Sequence, residues 1–160
     1  MVWLQALIQA IGKSIVAIGA FIAALAALAA ILVKNALSVA KLGDEIDKGS
    51  QKLNMSVSQY QKWKLAMELC GSSIEELREG YNQMSGKISQ SINGTESSAK
   101  AFETLGVNLK DVNGNLRSTG DIFEDTITSL QSIENNTERT ALAYQLFGES
   151  TSKLNPLLNQ

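Results

Sequence analysis

The stretch SIVAIGAFIAALAALAAILV, residues 14–33, contains no charged residue and is flanked by Lys13 and Lys34. At about 1.5 Å per residue, a helix over this stretch is about 30 Å long, which matches the hydrocarbon core of a bilayer. Each large apolar residue favours insertion by roughly 0.3 to 0.6 kcal/mol, whereas the alanines contribute almost nothing. The sequence therefore predicts a long apolar helix that is membrane-competent, but not strongly so.

Small residues give this helix a surface for close packing. Gly19, Ala23 and Ala27 recur every four residues, a spacing that lets a second helix approach closely in lipid or in protein. The residues predicted to contact lipid or a partner helix are Ile15, Ile18, Gly19, Phe21, Ile22, Ala23, Leu25, Ala27, Leu28, Ile31 and Leu32. A membrane-spanning helix, a helix packed in a protein bundle and a cleaved signal peptide are the three interpretations. The last is disfavoured because no basic segment precedes the apolar run.

Charged residues are unevenly distributed along the 160 residues, and the side chains most often used in catalysis are scarce. Lys13 and Lys34 are the only charged residues among the first 40, so all 16 acidic residues lie downstream of them. The net charge is −2, and without a basic surplus we do not expect a nucleic-acid binder. Histidine is absent and Cys70 is the only cysteine, which excludes an internal disulfide and the commonest general base and metal ligand.

Helical spacing extends on both sides of the apolar stretch. The first 13 residues keep an apolar face, and the polar segment after Lys34 continues at helical spacing to about Asn54. We therefore expect one long helix over 1–54 and a small multi-helix domain over 55–160. With a single proline and few aromatic residues, the predicted fold class is mainly α.

Two helices with a common apolar stripe are predicted at the start of this domain. Ser56 with Gln59 forms a capping-box pattern, as does Ser72 with Glu75 or Ser73 with Glu76. Within each helix the stripe residues recur at intervals of three and four; they are Tyr60, Trp63 and Met67 on the first helix and Ile74, Leu77, Tyr81, Met84 and Ile88 on the second. Such a stripe packs along its length on other helices, and it forms either an intramolecular core or a coiled-coil seam between subunits.

A change of pattern over 107–118, VNLKDVNGNLRS, predicts one short β-hairpin. Asn113-Gly114 is a dipeptide typical of a type I′ turn. Asp111, Asn113 and Asn115 also resemble the start of a calcium loop, but Leu116 takes the sixth place, which such a loop reserves for glycine. The turn interpretation is therefore favoured over a metal site.

Three further helical segments are predicted after the hairpin. One begins at Asp121, the next is capped by Thr137 and stopped by Gly148, and a last turn precedes Pro156. The closing leucines at 154, 157 and 158 are too apolar for a solvated tail. We expect that they fold back onto the domain or that the protein once continued beyond them.

No catalytic constellation is predicted. The paired acidic residues, such as Glu75-Glu76 and Glu124-Asp125, diverge by about 100° on a helix and so do not form carboxylate dyads. There is no G-x-S-x-G elbow and no glycine-rich phosphate loop. Cys70 has no histidine to activate it. We therefore predict no enzyme, no cofactor and no metal.

Three segments together resemble the phage tail tape measure proteins. Residues 42–80 contain a helix followed by SQKLNMS, and residues 101–148 contain AFETLGV and a helix pair. The most specific segment is ERTALAYQLFGESTSKLNPLLN, residues 138–159, which is similar to the family's signature almost position by position. The resemblance covers roughly residues 40–159.

The resemblance implies a structural component of a long phage tail. Members of the family run inside the tail tube, set its length, and leave with the DNA to help form a passage through the host envelope. Implied partners are further copies of the same protein, tail-tube and tail-assembly proteins, and the host membrane, which residues 14–33 would contact. The implied location is the virion tail, or the host membrane for a prophage copy.

The length of the protein limits this expectation. A fully helical stretch of 160 residues spans only about 240 Å, and family members are usually far longer, so we expect a fragment or a truncated prophage copy. The alternative is a small membrane-anchored helical protein of the holin or pore-forming type. A cell-wall-cleaving enzyme lacks both the residues and the length.

Overall fold

The computed structural model describes residues 36–160. The membrane-competent stretch 14–33 and its predicted packing residues therefore lie outside the described residues. Residues 36–160 are mainly helical and contain no strand, which confirms the mainly α fold class. The helices are α1 (Ala36–Leu53), α2 (Val57–Leu69), α3 (Ile74–Ile92), α4 (Glu96–Thr104), α5 (Thr119–Gln131), α6 (Asn136–Phe147), a 3-10 turn (Gly148–Ser150) and α7 (Thr151–Leu158).

None of the helices between Ala36 and Leu158 combines the length and the apolar character that crossing a bilayer requires. The middle of α1 carries exposed charged residues instead, and Asp44 pairs with Lys48 one turn later at 2.6 Å. The last turns of α1 are docked on the domain through buried Ile46 and Leu53.

Capping side chains define where α2 and α3 begin. Ser56 accepts a hydrogen bond from the Gln59 N–H, and the Gln59 side chain accepts one from the Ser56 N–H. Ser73 and Glu76 make the same reciprocal pair at the start of α3, which selects between the two alternatives that the sequence offered. These capping boxes satisfy backbone donors that would otherwise have no partner.

Two later helices begin earlier than predicted, because residues just upstream of the predicted starts act as caps. The Ser118 hydroxyl accepts from the Asp121 N–H, so α5 begins at Thr119. The Asn135 side chain accepts from the N–H groups of residues 137 and 138, so α6 begins at Asn136.

Helix α3 is the centre of the domain and contacts every other helix of the described region. It also bears the five downstream residues of the predicted stripe. Gly80 lies on the same buried face, where it lets the side chain of Leu154 from α7 approach the backbone. The core therefore surrounds α3 and draws residues from all seven helices.

The prediction of a β-hairpin is wrong, because the segment does not form a pair of strands. Residues 107–118 contain only one isolated antiparallel bridge, between Lys110 and Leu116. The turn is not type I′ either, because such a turn needs positive φ at both central residues and only Gly114 has it, at +83°. The Gly114 N–H instead donates to the Asp111 carbonyl at 3.0 Å. This arrangement corresponds to a type I turn followed by a left-handed glycine.

The C-terminal leucines fold back onto the domain. Helix α7 passes through Pro156 and ends at Leu158, beyond the predicted stop. Leu154, Leu157 and Leu158 are all buried, and their burial outweighs the hydrogen bond that a proline inside a helix forgoes.

Candidate functional site

The predicted apolar stripe lies inside the molecule. None of its eight residues on α2 and α3 exposes more than 7 % of its surface, and these residues are Tyr60, Trp63, Met67, Ile74, Leu77, Tyr81, Met84 and Ile88. Because the side chains are covered by other helices of the same molecule, they are not available to a second copy. The stripe therefore belongs to the intramolecular core.

Phe123 on α5 is the centre of an aromatic cluster. Its ring centroid lies 5.1 Å from that of Trp63 in an edge-to-face arrangement, 5.2 Å from Tyr81 and 5.9 Å from Phe147. Aromatic pairs of this geometry add roughly 0.5 to 1.5 kcal/mol to the stabilisation from burial. The helix predicted to begin at Asp121 includes Phe123, but nothing in the sequence indicates which distant aromatic rings it contacts.

Two polar atoms are buried beside this cluster. Trp63 Nε1 and the Tyr81 hydroxyl lack a hydrogen-bond partner of good geometry. Burial raises the pKa of Tyr81 to about 12, although the neighbouring Thr119 hydroxyl offsets part of this effect. The Tyr81 side chain is therefore neutral at physiological pH and is part of the buried core.

The Asp111 turn, residues 108–117, is held by one carboxylate and one guanidinium. The Asp111 carboxylate accepts from the N–H groups of Asn113 at 2.8 Å and Asn115 at 2.9 Å. Hydrogen bonds, chiefly the one from the Asn115 backbone N–H, lower the pKa of the Asp111 carboxyl below its ordinary value. Arg117 donates to the Asn108 carbonyl at 2.9 Å and to Asp125 at 2.7 Å. The carboxylate oxygens that a calcium loop would offer to an ion thus stabilise the turn itself.

The tip of the Asp111 turn carries Val112, whose side chain is fully exposed. Sequence patterns indicated a turn at this position but did not indicate that Asp111 would organise it. The usable signal was the spacing of Asp111 from residues 113 and 115, since aspartate accepts hydrogen bonds from backbone groups two residues onward.

A groove of about 200 Å³ lies between α1 and the starts of α2 and α3. Sites for drug-sized ligands occupy roughly 300 to 1,000 Å³, so this groove is smaller than a typical site of that kind. It is lined by Glu45, Lys48, Gly49, Lys52, Leu53, Tyr60, Ile74, Glu75 and Arg78. Its mixed charges do not favour one kind of ion.

Some ionisable groups of the described domain form ion pairs that connect helices. Glu124 pairs with Lys62 at 3.2 Å and links α5 to α2, while Glu79 pairs with Lys153 at 2.5 Å and links α3 to α7. Within residues 36–160 no three His, Cys, Asp or Glu side chains are grouped to hold a metal. Burial raises the pKa of the Cys70 thiol, so the reactive thiolate is disfavoured.

The α6 outer face is uncharged and turned to solvent. It consists of Asn136, Thr137, Thr140, Ala141, Tyr144 and Gln145, with 59 % of Tyr144 exposed. Tyrosine is enriched at protein interfaces, where its ring supplies apolar contact and its hydroxyl a hydrogen bond. Sequence analysis did not single out this face, because its residues are neither strongly apolar nor charged.

Residues 70–148 match the family model of the phage-related minor tail protein. This match supports the interpretation of the protein as a phage tail protein. We call residues 70–148 the tail-protein region. No curated protein and no solved structure matches the sequence.

The tail-protein region extends from the end of α2 to the end of α6. It includes the central helix α3, the Asp111 turn and Phe123. The folded unit is larger than this region, however, because Trp63 on α2 and Leu154 on α7 complete the same core.

Proposed function

We propose that this protein is a tape-measure-like structural component of a long phage tail, which helps to set tail length and acts at the host membrane during DNA ejection. The match of the tail-protein region supports the coarser assignment to a phage tail. The finer assignment rests on the ordered resemblance of residues 40–159 to the tape measure family. A virion tail location is consistent with both.

The observation that carries the proposal is the structural role of the closing segment, residues 138–159, which resembles the family most closely. Seven of its apolar residues are buried, and they are Leu142, Ala143, Leu146, Phe147, Leu154, Leu157 and Leu158. Gly148 adopts φ +55° and ψ −136° between α6 and α7, a conformation open essentially to glycine alone. The segment thus contributes to the core and to the connection between α6 and α7, and this structural role supports the proposal.

The proposed partners are further copies of this protein and the proteins of the tail tube. The α6 outer face is a suitable contact surface because no charged residue must be desolvated there. The proposal assigns no catalysis to this domain: the carboxylates of Glu124 and Glu79 are paired with lysines that connect helices. Peptidoglycan incubated with the protein should remain uncleaved.

Tail length is the quantity that tests the proposal. In the phage that encodes this protein, in-frame insertion of helical residues just before Ala36 should lengthen the tail by about 1.5 Å per residue. An insertion of equal length between Asn113 and Gly114 is the matched control, because it enlarges an exposed turn and should leave the length unchanged. Electron microscopy of purified tails measures both.

The outcomes separate the two levels of the proposal. If the protein is present in purified tails but insertions into it never alter tail length, it is a tail protein without a measuring role. Absence of the protein from purified tails contradicts both levels.

Flotation with liposomes tests the membrane role of residues 14–33. The full-length protein should float with vesicles, whereas a variant with Leu25→Asp and Leu28→Asp should not, since each aspartate opposes insertion by roughly 2.5 to 3.5 kcal/mol. Equal recovery of both proteins in the aqueous fraction contradicts the membrane role. Rapid release of vesicle contents by the isolated protein would favour the pore-forming alternative.

A further inference from the structure

Two Asn-Gly dipeptides have no part in the proposed function. Asn93-Gly94 ends α3, and Asn113-Gly114 lies in the Asp111 turn; both asparagines are exposed. Asn-Gly is a reactive pair because glycine has no side chain to hinder attack by its own backbone nitrogen. That nitrogen bonds to the asparagine Cγ, the bond between Cγ and Nδ2 breaks, and ammonia leaves. Water then opens the cyclic imide to aspartate or isoaspartate.

The reaction requires the glycine nitrogen to give up its hydrogen bond and swing towards the asparagine side chain. In the Asp111 turn, the Gly114 N–H donates to the Asp111 carbonyl at 3.0 Å, and the Asp111 N–H donates to the Asn115 carbonyl at 2.8 Å. The Asp111 carboxylate adds charge-assisted bonds to the N–H groups of Asn113 and Asn115. It therefore holds the peptide on both sides of the reactive pair.

The other pair is held by the backbone of a helix end alone. The Asn93 N–H donates to the Ser89 carbonyl at 3.1 Å, and the Gly94 N–H donates to the Ser91 carbonyl at 3.2 Å. Among the described residues, no side chain hydrogen-bonds to the backbone of Asn93 or Gly94. Helix ends fray at little cost, so the reactive geometry is reached more often here than in the Asp111 turn.

We propose that Asn93 is the principal site of spontaneous deamidation among residues 36–160, and that the Asp111 carboxylate protects Asn113 from the same reaction. The two sites would differ in their effect. A carboxylate at position 93 would stand at the negative end of the α3 dipole and loosen the last turn of the central helix.

The deamidation rates of Asn93 and Asn113 can be compared within the same protein. The full-length protein is incubated in mildly alkaline buffer, and peptide mapping by mass spectrometry follows both asparagines over time. In the unaltered protein Asn93 should react first. In Asp111→Ala the rate at Asn113 should rise about tenfold or more, as expected from the loss of a charge-assisted hydrogen bond, while the rate at Asn93 should not change. Asp111→Asn, which keeps an acceptor oxygen without the charge, should give an intermediate rate.

Faster reaction at Asn113 than at Asn93 in the unaltered protein would overturn the proposal. An unchanged ratio of the two rates in Asp111→Ala would also overturn it, including a parallel rise of both. The order of the two sites in the unaltered protein tests the proposal even where a variant folds poorly. Neither result bears on the tail assignment.

Discussion

The ring of Tyr60 on α2 lies directly against the backbone of Gly49 on α1. A Cβ atom added at Gly49 would overlap the ring at its Cζ, hydroxyl and Cε2 atoms. The Tyr60 ring is itself 5 % exposed and anchored in the core, so it has little freedom to move aside. Together with buried Ile46 and Leu53, this close approach docks α1 on the domain.

Replacing Gly49 by alanine should therefore detach or shift α1. We expect a loss of about 1 to 3 kcal/mol in the free energy of unfolding, as for an overpacked site. Urea unfolding measures it. Gly43→Ala is the matched control, because a Cβ there meets nothing within 4 Å, and it should stabilise α1 by up to about 1 kcal/mol. If both substitutions change the free energy of unfolding equally, the contact between Gly49 and the Tyr60 ring does not restrict the side chain at position 49.

The contact between α3 and α7 gives a second glycine test. A Cβ at Gly80 would lie 2.5 Å from Leu154 Cδ1, whereas one at Gly86 on the same helix meets nothing within 4 Å. Gly80→Ala should thus be destabilising by about 1 to 3 kcal/mol, and Gly86→Ala neutral or stabilising. Adding Leu154→Ala to Gly80→Ala should cost less than the two single effects combined. Simple additivity in thermal or urea unfolding would contradict the contact.

Phe123 should be among the most sensitive positions of the domain. It is 0 % exposed and contacts three aromatic rings, so Phe123→Ala should remove about 3 to 5 kcal/mol. The Trp63 fluorescence should change with it, because the indole would lose its edge-to-face neighbour. A small loss of stability with an unaltered tryptophan emission spectrum would contradict the central position of Phe123 in the core. Tyr144→Ala, on the exposed α6 outer face, is the control and should change stability little.

Acid should destabilise the domain through Glu76. Hydrogen bonds from the Ser72 hydroxyl and the Ser73 N–H lower its pKa from the ordinary 4.5, so the folded protein binds this proton less readily than the unfolded protein. Its contribution is present above pH 4.5 and is lost as the pH falls through the lowered pKa. Glu76→Gln keeps the capping box but should flatten this part of the stability profile. An NMR titration that places the pKa of the Glu76 carboxyl at or above 4.5 would contradict the assignment.

Local chemistry made much of the fold predictable. The capping box at Ser56 and Gln59 involves atoms within one turn, and the alternation of three and four residues in α3 follows from helix geometry. Contacts between helices were not predictable in the same way. That Gly49 receives the Tyr60 ring, or that Phe123 joins Trp63 to Phe147, depends on the angles at which helices cross, and a single sequence does not contain them.

The prediction failed where two local signals competed. At residues 107–118 the Asn113-Gly114 dipeptide favoured a type I′ hairpin, but the Asp111 carboxylate accepts hydrogen bonds from the backbone of a type I turn, and that turn formed. At Pro156 the missing N–H predicted a helix end, yet the burial of Leu157 and Leu158 extended the helix past it. The α6 outer face had no sequence signal, since Thr and Gln on a helix are common on any solvated surface.

The seating of Leu154 against Gly80 has a practical consequence for anyone who expresses this protein. A clone trimmed to residues 70–148 would lack α1, α2 and α7, so the apolar residues of α3 that these helices cover would be exposed. Such a fragment should precipitate or bind chaperones, while one spanning residues 43–160 should stay monodisperse at the same concentration.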